Sequence, residues 1–148
     1  MTGEQIVQRP ISSLTLWRGN ARTHSKKQIS QIAKSIETFG FTNPILIDEA
    51  GTILAGHGRL EAAKLLAWTS VPCWRIEYMS EDQKRAYVLA DNKLALNAGW
   101  DDELLATELG ALASLDLDFD LDVTGFSIAE TDQVIDFAFP EADSDPAD

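Results

Sequence analysis

The sequence predicts an α/β domain with a small mixed sheet and surrounding helices, followed by an acidic helical appendage. Short β-type runs alternate with segments of helical spacing in the first part. All 12 basic residues lie at or before Lys93, whereas 15 of the 24 acidic residues follow it. We therefore expect a domain over 1–97, an acidic helical extension over 98–140, and a disordered linker or tail over 141–148.

The elements of the first part follow from local signals. Residues 6–16 read as a strand and turn broken by Pro10, and Ser25 with Gln28 reads as a capping box that starts a helix ending at Gly40. Further signals predict a hairpin of 44–48 with 52–55, a short helix over 59–67 and a strand over 71–78.

Helix caps also organise the second part. Ser80 with Gln83 and Ser127 with Glu130 form capping-box pairs, and Asp101 is expected to cap a Leu-rich helix between them. Residues 117–123 alternate apolar side chains with aspartates, which is compatible with a strand or an extended connector.

Composition excludes several classes of protein. No run approaches the roughly 20 apolar residues of a membrane helix, and no secretory signal is visible, so no membrane partner is expected. The single cysteine, Cys73, excludes an internal disulfide and a Cys-cluster zinc site. These features predict a cytoplasmic protein.

Gly56-His57-Gly58-Arg59 carries most of the functional information. A β-type run feeds a glycine turn that opens a helix, which directs backbone N–H groups and a positive dipole end at one point. The Arg59 guanidinium suits phosphate oxygens, and His57, expected to be exposed, could contact phosphate too. An ordinary tight turn is the alternative, since the segment is neither a P-loop nor a dinucleotide fingerprint.

Other polar residues extend this candidate site. Asn20 and Arg22 lie in a loop that could close over a nucleotide, while Thr42 and Asn43 could touch its base or sugar. Asp91 and Asn92 are oxygen donors suited to Mg²⁺ held jointly with phosphate. A solvated polar helix face is the alternative for this last pair.

Residues 6–97 resemble the N-terminal domain of the ParB/sulfiredoxin superfamily, which includes ParB-like nuclease domains. The matching elements occur in order: the Asn-x-Arg loop, Asn-Pro-Ile-Leu-Ile at 43–47, Ala-Gly-His-Gly-Arg-Leu-Glu-Ala-Ala at 55–63, and Ala-Asp-Asn-Lys at 90–93. In chromosome-partition members, the two last boxes hold the triphosphate of CTP and its magnesium. The resemblance therefore implies a nucleoside triphosphate, CTP or ATP, at Gly56–Arg59 and Lys93, with Mg²⁺ at Asp91 and Asn92.

Two departures limit this implication. His57 stands where partition proteins carry Glu, so base preference stays open, and the reactive cysteine of sulfiredoxin is missing from the box. The chain is similar to ParB-like domains fused ahead of phage and bacterial DNA methyltransferases. The likeness rests on Gly-His-Gly-Arg at 56–59 and on Ala-Asp-Asn-Lys-Leu-Ala-Leu-Asn-Ala-Gly-Trp-Asp at 90–101. Residues 94–148 do not resemble the basic helix-turn-helix of partition proteins, and no methyltransferase motif is present.

We therefore expect a nucleotide-binding regulatory module of a linked or separate DNA methyltransferase. DNA would be engaged through a linked domain or the basic face of 1–93, and a homodimer is left open. This module could also hydrolyse the nucleotide slowly, with the charges of Arg59 and Mg²⁺ stabilising the transition state. One alternative is a nuclease or small-molecule kinase with His57 and Glu61 as catalytic residues. The other is a nucleotide-free interaction module whose acidic segment binds a basic partner or mimics DNA.

Overall fold

The computed structural model describes residues 5–20 and 22–140. These residues fall into two compact units, of which the first ends at Ala98 and the second begins at Gly99. The predicted tail over 141–148 lies outside the described residues. The first unit has a four-stranded sheet in the order β1-β4-β2-β3, formed by β1 Ile6–Pro10, β2 Ile45–Ile47, β3 Ile53–Ala55 and β4 Ser70–Arg75. Its helices are α1 Lys26–Phe39, α2 His57–Leu65 and α3 Glu81–Asn97.

The sheet is mixed, as the sequence predicts. β1 runs antiparallel to β4, β4 runs parallel to β2, and β2 pairs with β3 as the expected antiparallel hairpin. Asp48 closes the hairpin turn, since its Oδ1 accepts the N–H groups of Ala50 and Thr52, each at 2.9 Å.

Successive side chains of a strand point to opposite faces of the sheet, and helices pack on both faces. Ile45, Ile47 and Ile53 pack with Leu60 of α2 in the main core cluster. Leu54, the next residue of β3, instead packs with Val88 of α3. The hairpin therefore carries α2 on one face and α3 on the other, and both helices reach the end of β3 where the candidate site begins.

Residues before α1 are also fixed against the hairpin. Thr15 forms an isolated parallel bridge with Thr52, and the Ile53 N–H donates to the Thr15 carbonyl at 2.8 Å. This pairing holds the start of the polar loop, defined as residues 17–20 and 22–24, which then reaches the first turn of α2.

The second unit contains α4 Asp102–Ala113, a 3-10 helix Leu121–Thr124 and α5 Ile128–Ala138. Asp101 caps α4 and Ser127 forms a full capping box with Glu130, as expected. The Asp-rich segment 117–123 is neither a strand nor an extended connector along its whole length. Its last residues belong to the 3-10 helix over 121–124, which ends at Gly125 with a φ of 91°. Among the described residues, no helix is both long and apolar enough to cross a membrane.

Candidate functional site

Gly56 allows β3 to turn directly into α2. It is the N-cap residue of α2 with a φ of 110°, a conformation that strains other residues. A Cβ at this position would lie 3.0 Å from Arg59 Nη2 and 3.1 Å from Ile45 Cγ1. The helix consequently begins at His57, two residues before the predicted start at Arg59, which the left-handed cap explains.

Gly58 allows α2 to approach the beginning of α1. A Cβ on Gly58 would lie 3.0 Å from His24 Cε1 and 3.1 Å from Ile32 Cδ1. The absence of a side chain at Gly58 thus brings the His24 ring against the first turn of α2.

The first turn of α2 presents backbone donors. The first N–H groups of any helix have no acceptor within the helix, and a side chain at the N-cap commonly supplies one. Gly56 has no side chain to cap the helix. The positive end of the helix dipole adds to these N–H groups, so this turn favours an anionic group.

Arg59, at the third position of α2, is partly buried beside these N–H groups. Its Nη2 donates to the Pro44 carbonyl at 3.1 Å, which orients the guanidinium, whereas its buried Nε has no hydrogen-bond partner among the described residues. Burial lowers the pKa of Arg59, and the charges of Asp91 and Tyr87 oppose that lowering. Since arginine stays protonated in proteins, a buried cationic donor lacks an acceptor here.

His57 is partly buried, contrary to the expectation of an exposed ring. The Trp17 backbone N–H donates to His57 Nε2 at 3.2 Å, so in the neutral ring the proton lies on Nδ1. The pKa of His57 is lowered by burial and by the neighbouring charge of His24, while Glu61 acts in the opposite direction. His57 therefore ties the polar loop to α2 and keeps one ring donor.

A cavity of about 200 Å³ lies in front of this turn. Its wall brings together residues from the polar loop, α1, β3, α2 and α3. Eight had been predicted from the sequence as site residues: Asn20, Arg22, Gly56, His57, Gly58, Arg59, Asp91 and Asn92. A larger cleft of about 830 Å³ shares part of this wall, namely Asn20, Arg22, His24 and His57.

The remaining predicted residues lie elsewhere. Thr42, Asn43 and Lys93 are exposed and line neither the cavity nor the larger cleft. Glu61 lines only the larger cleft, where its carboxylate pairs with Lys64 Nζ at 3.4 Å.

The α3 side of the cavity supplies oxygen atoms. Asp91 Oδ1 accepts from the Tyr87 hydroxyl at 3.4 Å, and Asn92 Nδ2 donates to the Val88 carbonyl at 3.0 Å. That bond fixes the Asn92 amide without using its oxygen. No group of three or more His, Cys, Asp or Glu residues able to hold a metal occurs in the described ranges. One carboxylate and one amide oxygen match Mg²⁺ only when phosphate oxygens complete its shell.

Sequence reasoning did not identify His24 as a site residue. His24 Nδ1 lies 3.1 Å from Gln28 Oε1, and the Ser25 hydroxyl accepts from the Gln28 N–H at 3.0 Å. The expected capping box is thus only half formed, because the Gln28 side chain orients His24 instead of closing the box. A histidine directly before an N-cap was the available signal.

Comparison with family models assigns both parts of the chain. Residues 1–93 match the ParB N-terminal domain, and residues 103–148 match the ParB-methyltransferase HTH (helix-turn-helix) domain. The chain therefore belongs to the ParB N-terminal domain family, of the methyltransferase-associated type. The superfamily expected from the sequence is confirmed, whereas the helix-turn-helix match at 103–148 had not been identified.

Individual relatives agree with this assignment. The chain is 48% identical over 81 residues to the ParB-like nuclease domain-containing protein YnaK of Escherichia coli (strain K12), covering 55% of this chain and 93% of YnaK. It is 29% identical over 94 residues to the nucleoid occlusion protein of Geobacillus kaustophilus, covering 60% of this chain but only 33% of that protein.

Solved structures support the fold. The C-terminally truncated chromosome-partitioning protein ParB of Caulobacter crescentus, complexed with CTP-γ-S, superposes with a TM-score of 0.62 at 20% identity, covering 88% of this chain and 71% of that chain. The same protein complexed to the centromeric parS site gives a TM-score of 0.51 at 19% identity, covering 87% and 70%. The predicted ParB-like fold is thereby confirmed.

Proposed function

We propose that the first unit binds a nucleoside triphosphate, CTP or ATP, together with Mg²⁺, and that its nucleotide state regulates a linked or separate DNA methyltransferase. The observation that carries this proposal is the buried Arg59 Nε, which has no hydrogen-bond partner among the residues that the structure describes and lies beside the first turn of α2, where Gly56 supplies no side-chain cap. A partly buried cation with an unused buried donor is costly, and a phosphate oxygen would satisfy both its charge and its hydrogen bond.

The cavity residues divide into roles on this proposal. Arg59 and the first-turn amides of α2 would bind phosphate oxygens, with His57 Nδ1 as a further donor. Arg22 and Asn20 would contact the nucleotide from the polar loop, which Trp17 fixes to His57. Asp91 and Asn92 would hold Mg²⁺, which supplies charge neutralisation to the phosphates when bound.

The methyltransferase and DNA parts of the proposal rest on the comparisons. The HTH model at 103–148 carries methyltransferase in its description, and the ParB of Caulobacter crescentus was solved with CTP-γ-S and with a centromeric DNA site. Because these structures share 20% or less of their residues with this chain, they support the fold. DNA would be engaged by the basic face of the first unit or through the linked protein.

Nuclease activity is a second candidate, favoured by the description of YnaK as a ParB-like nuclease domain-containing protein. It would require a base next to the phosphate. His57 Nε2 is engaged by the Trp17 N–H and Glu61 pairs with Lys64, so neither is poised to accept a proton from water. Plasmid nicking in Mg²⁺ that is lost in His57→Ala would nevertheless support the nuclease over the binding module.

A thermal-shift experiment with matched arginine variants tests the proposal. Arg59 and Arg75 each donate Nη2 to a backbone carbonyl at 3.1 Å, but only Arg59 lines the cavity. We expect Mg²⁺ with CTP or ATP to raise the unfolding temperature of the wild type and of Arg75→Ala but not of Arg59→Ala. A shift retained in Arg59→Ala would overturn the assignment of the phosphate site.

A further inference from the structure

The second unit matches a helix-turn-helix model but lacks the charges by which such motifs hold DNA. No Lys, Arg or His follows Lys93 in the sequence, whereas 15 acidic residues do. DNA affinity depends largely on Lys and Arg contacts to phosphates, and acidic side chains are repelled by them. The second unit is therefore suited to a ligand of opposite charge.

A cavity of about 370 Å³ lies within this unit, between the end of α4, the segment that follows it and the start of α5. Its apolar wall includes Leu115 and Ile128, which are 59% and 77% exposed. Aspartates from three places along the chain line the same cavity: Asp116, Asp120, Asp122 and Asp132. A groove with apolar and acidic walls matches a ligand that carries both apolar and cationic groups.

Thr131 provides an independent sign of a ligand. It lines the cavity, is only 4% exposed, and its hydroxyl has no hydrogen-bond partner within the described part of the chain. Burying a hydroxyl without a partner costs free energy, and native proteins satisfy most such groups. A bound ligand that donates to or accepts from Thr131 Oγ1 would remove this cost.

We propose that this groove is a docking site for a basic amphipathic segment of a protein partner. Apolar side chains of that segment pack on Leu115 and Ile128, and its Lys or Arg side chains pair with Asp116 and Asp132. The chain's own residues 141–148 are a poor occupant, because they add four acidic residues and no basic one. The inference goes beyond the nucleotide site and does not depend on it.

Peptide binding to the full chain tests this site. The probe is a fluorescein-labelled peptide with Leu and Arg at helical spacing, and its control has the same residues in scrambled order. The variant Asp116→Asn/Asp132→Asn removes two cavity charges. Glu108→Gln/Asp136→Asn removes two exposed charges that do not line the cavity.

The paired design separates a site from general attraction between opposite charges. We expect the cavity variant to bind the ordered peptide about tenfold more weakly and the control variant to stay within about twofold of the wild type. Thr131→Val, which keeps the side-chain shape, should also weaken binding while the chain stays folded by circular dichroism.

Four results would overturn the proposal. One is an equal loss in both charge variants, and another is equal binding of ordered and scrambled peptides. The third is displacement of the peptide by a DNA duplex in the wild type and the control variant but not in the cavity variant. That result would make the groove a nucleic-acid site. A tenfold rise in peptide affinity after removal of 141–148 would instead identify that segment as the occupant.

Discussion

At the residue scale, the site depends on small residues that permit close approach. The two glycines of Gly-His-Gly-Arg have different roles: Gly56 adopts the left-handed conformation at the helix cap, and Gly58 lets the His24 ring lie against α2. At both positions, neighbouring atoms lie about 3 Å from where a Cβ would be. The motif therefore determines how closely the cavity walls approach, and it also supplies hydrogen-bond donors to the cavity.

The role of Gly58 predicts the effect of adding one methyl group. Gly58→Ala should lower the free energy of unfolding by up to about 2 kcal/mol. Overpacking costs about 1–3 kcal/mol, because the His24 ring and Ile32 must move away from the new methyl group, and the higher helix propensity of alanine offsets about 1 kcal/mol of that cost. Gly99→Ala is the control, since a Cβ there meets nothing within 4 Å. Urea denaturation measures both, and equal stabilities for the two variants would contradict the packing described for Gly58.

His57 predicts a pH dependence of the polar loop. Burial and His24 lower its pKa below the usual 6.5, so its neutral form stabilises the fold above about pH 6.5. This contribution is lost as the pH falls through the lowered pKa, because protonation of Nε2 removes the acceptor for the Trp17 N–H.

An NMR titration of the His57 ring and the Trp17 amide checks this expectation. Both signals should change together, at a pH below that of a histidine in an unfolded peptide. Independent titration of the two signals, or a midpoint at or above 6.5, would show that the hydrogen bond does not control the loop.

At the element scale, a buried lysine joins α3 to the β2–β3 hairpin. Lys84 is 2% exposed, and its Nζ lies 3.0 Å from Asp48 Oδ2, 2.7 Å from Glu49 Oε1 and 3.0 Å from Glu81 Oε1. Asp48 also closes the hairpin turn. Since α3 carries Asp91 and Asn92, this network positions the oxygen side of the cavity relative to the end of β3.

Lys84→Met should lower the free energy of unfolding by about 3–5 kcal/mol, because it leaves the Asp48 carboxylate buried without its cation. Lys64→Met, at an exposed ion pair, should cost less than about 1 kcal/mol. Urea denaturation near neutral pH measures the two variants, and similar costs would show that burial of the Lys84 network is unimportant.

The same network predicts how stability varies with pH. Burial raises the pKa of Asp48, but bonds from Thr52, Lys84 and Ala50 outweigh burial and lower it overall. Its stabilisation is therefore present above about pH 4 and lost as the pH falls further. Bonds to Glu49 and Glu81 raise the pKa of Lys84, so its stabilisation is present below about pH 10.4 and lost at higher pH.

Denaturation curves of the wild type at a series of pH values should consequently give a free energy of unfolding that is constant near neutral pH. It should decline at both acidic and strongly alkaline pH. Lys84→Met should lose the alkaline decline that comes from Lys84. The difference in free energy of unfolding between the wild type and Lys84→Met should therefore shrink at strongly alkaline pH. A difference that stays constant from neutral to strongly alkaline pH would contradict the charged state assigned to this lysine.

Elements coded by local chemistry could be predicted from the sequence, whereas long-range contacts could not. The hairpin and the caps at Ser80, Asp101 and Ser127 follow from turn and capping residues that act within a few positions. The sequence predicts the start of α2 two residues too late, at Arg59 instead of His57, because a left-handed Gly56 cap has no side-chain signal.

The same limit explains the candidate site. Gly56 to Arg59, Asn20, Arg22, Asp91 and Asn92 line one cavity. The resemblance to a known family, and not local chemistry, grouped these distant segments into one candidate site. His24 was missed because its place depends on the missing Cβ of Gly58, a contact that links separate helices. Thr42, Asn43 and Lys93 have suitable chemistry but exposed positions outside the cavity wall, so their nucleotide contacts stay a prediction.

At the scale of the whole molecule, charge and contacts divide the chain at nearly the same place. The last basic residue is Lys93, and the first compact unit ends at Ala98. All residues of the proposed nucleotide cavity lie in the first unit, and all residues of the proposed docking groove lie in the second.

This division predicts that a fragment of residues 1–98 folds cooperatively and keeps the nucleotide response of the full chain. The reason is that its core clusters and cavity walls all lie inside that range. Circular dichroism during heating, with and without Mg²⁺ and nucleotide, measures both properties. A fragment that folds but no longer responds to nucleotide would assign part of the site to residues beyond 98.

Calorimetric titration of CTP, ATP and GTP with Mg²⁺ tests the central claim most directly. The claim is that Arg59 Nε and the first-turn amides of α2 bind a triphosphate. We expect saturable heat from CTP or ATP with the wild type and Arg75→Ala, and its loss in Arg59→Ala. No heat from any of the three nucleotides with the wild type, or undiminished heat in Arg59→Ala, would contradict the account.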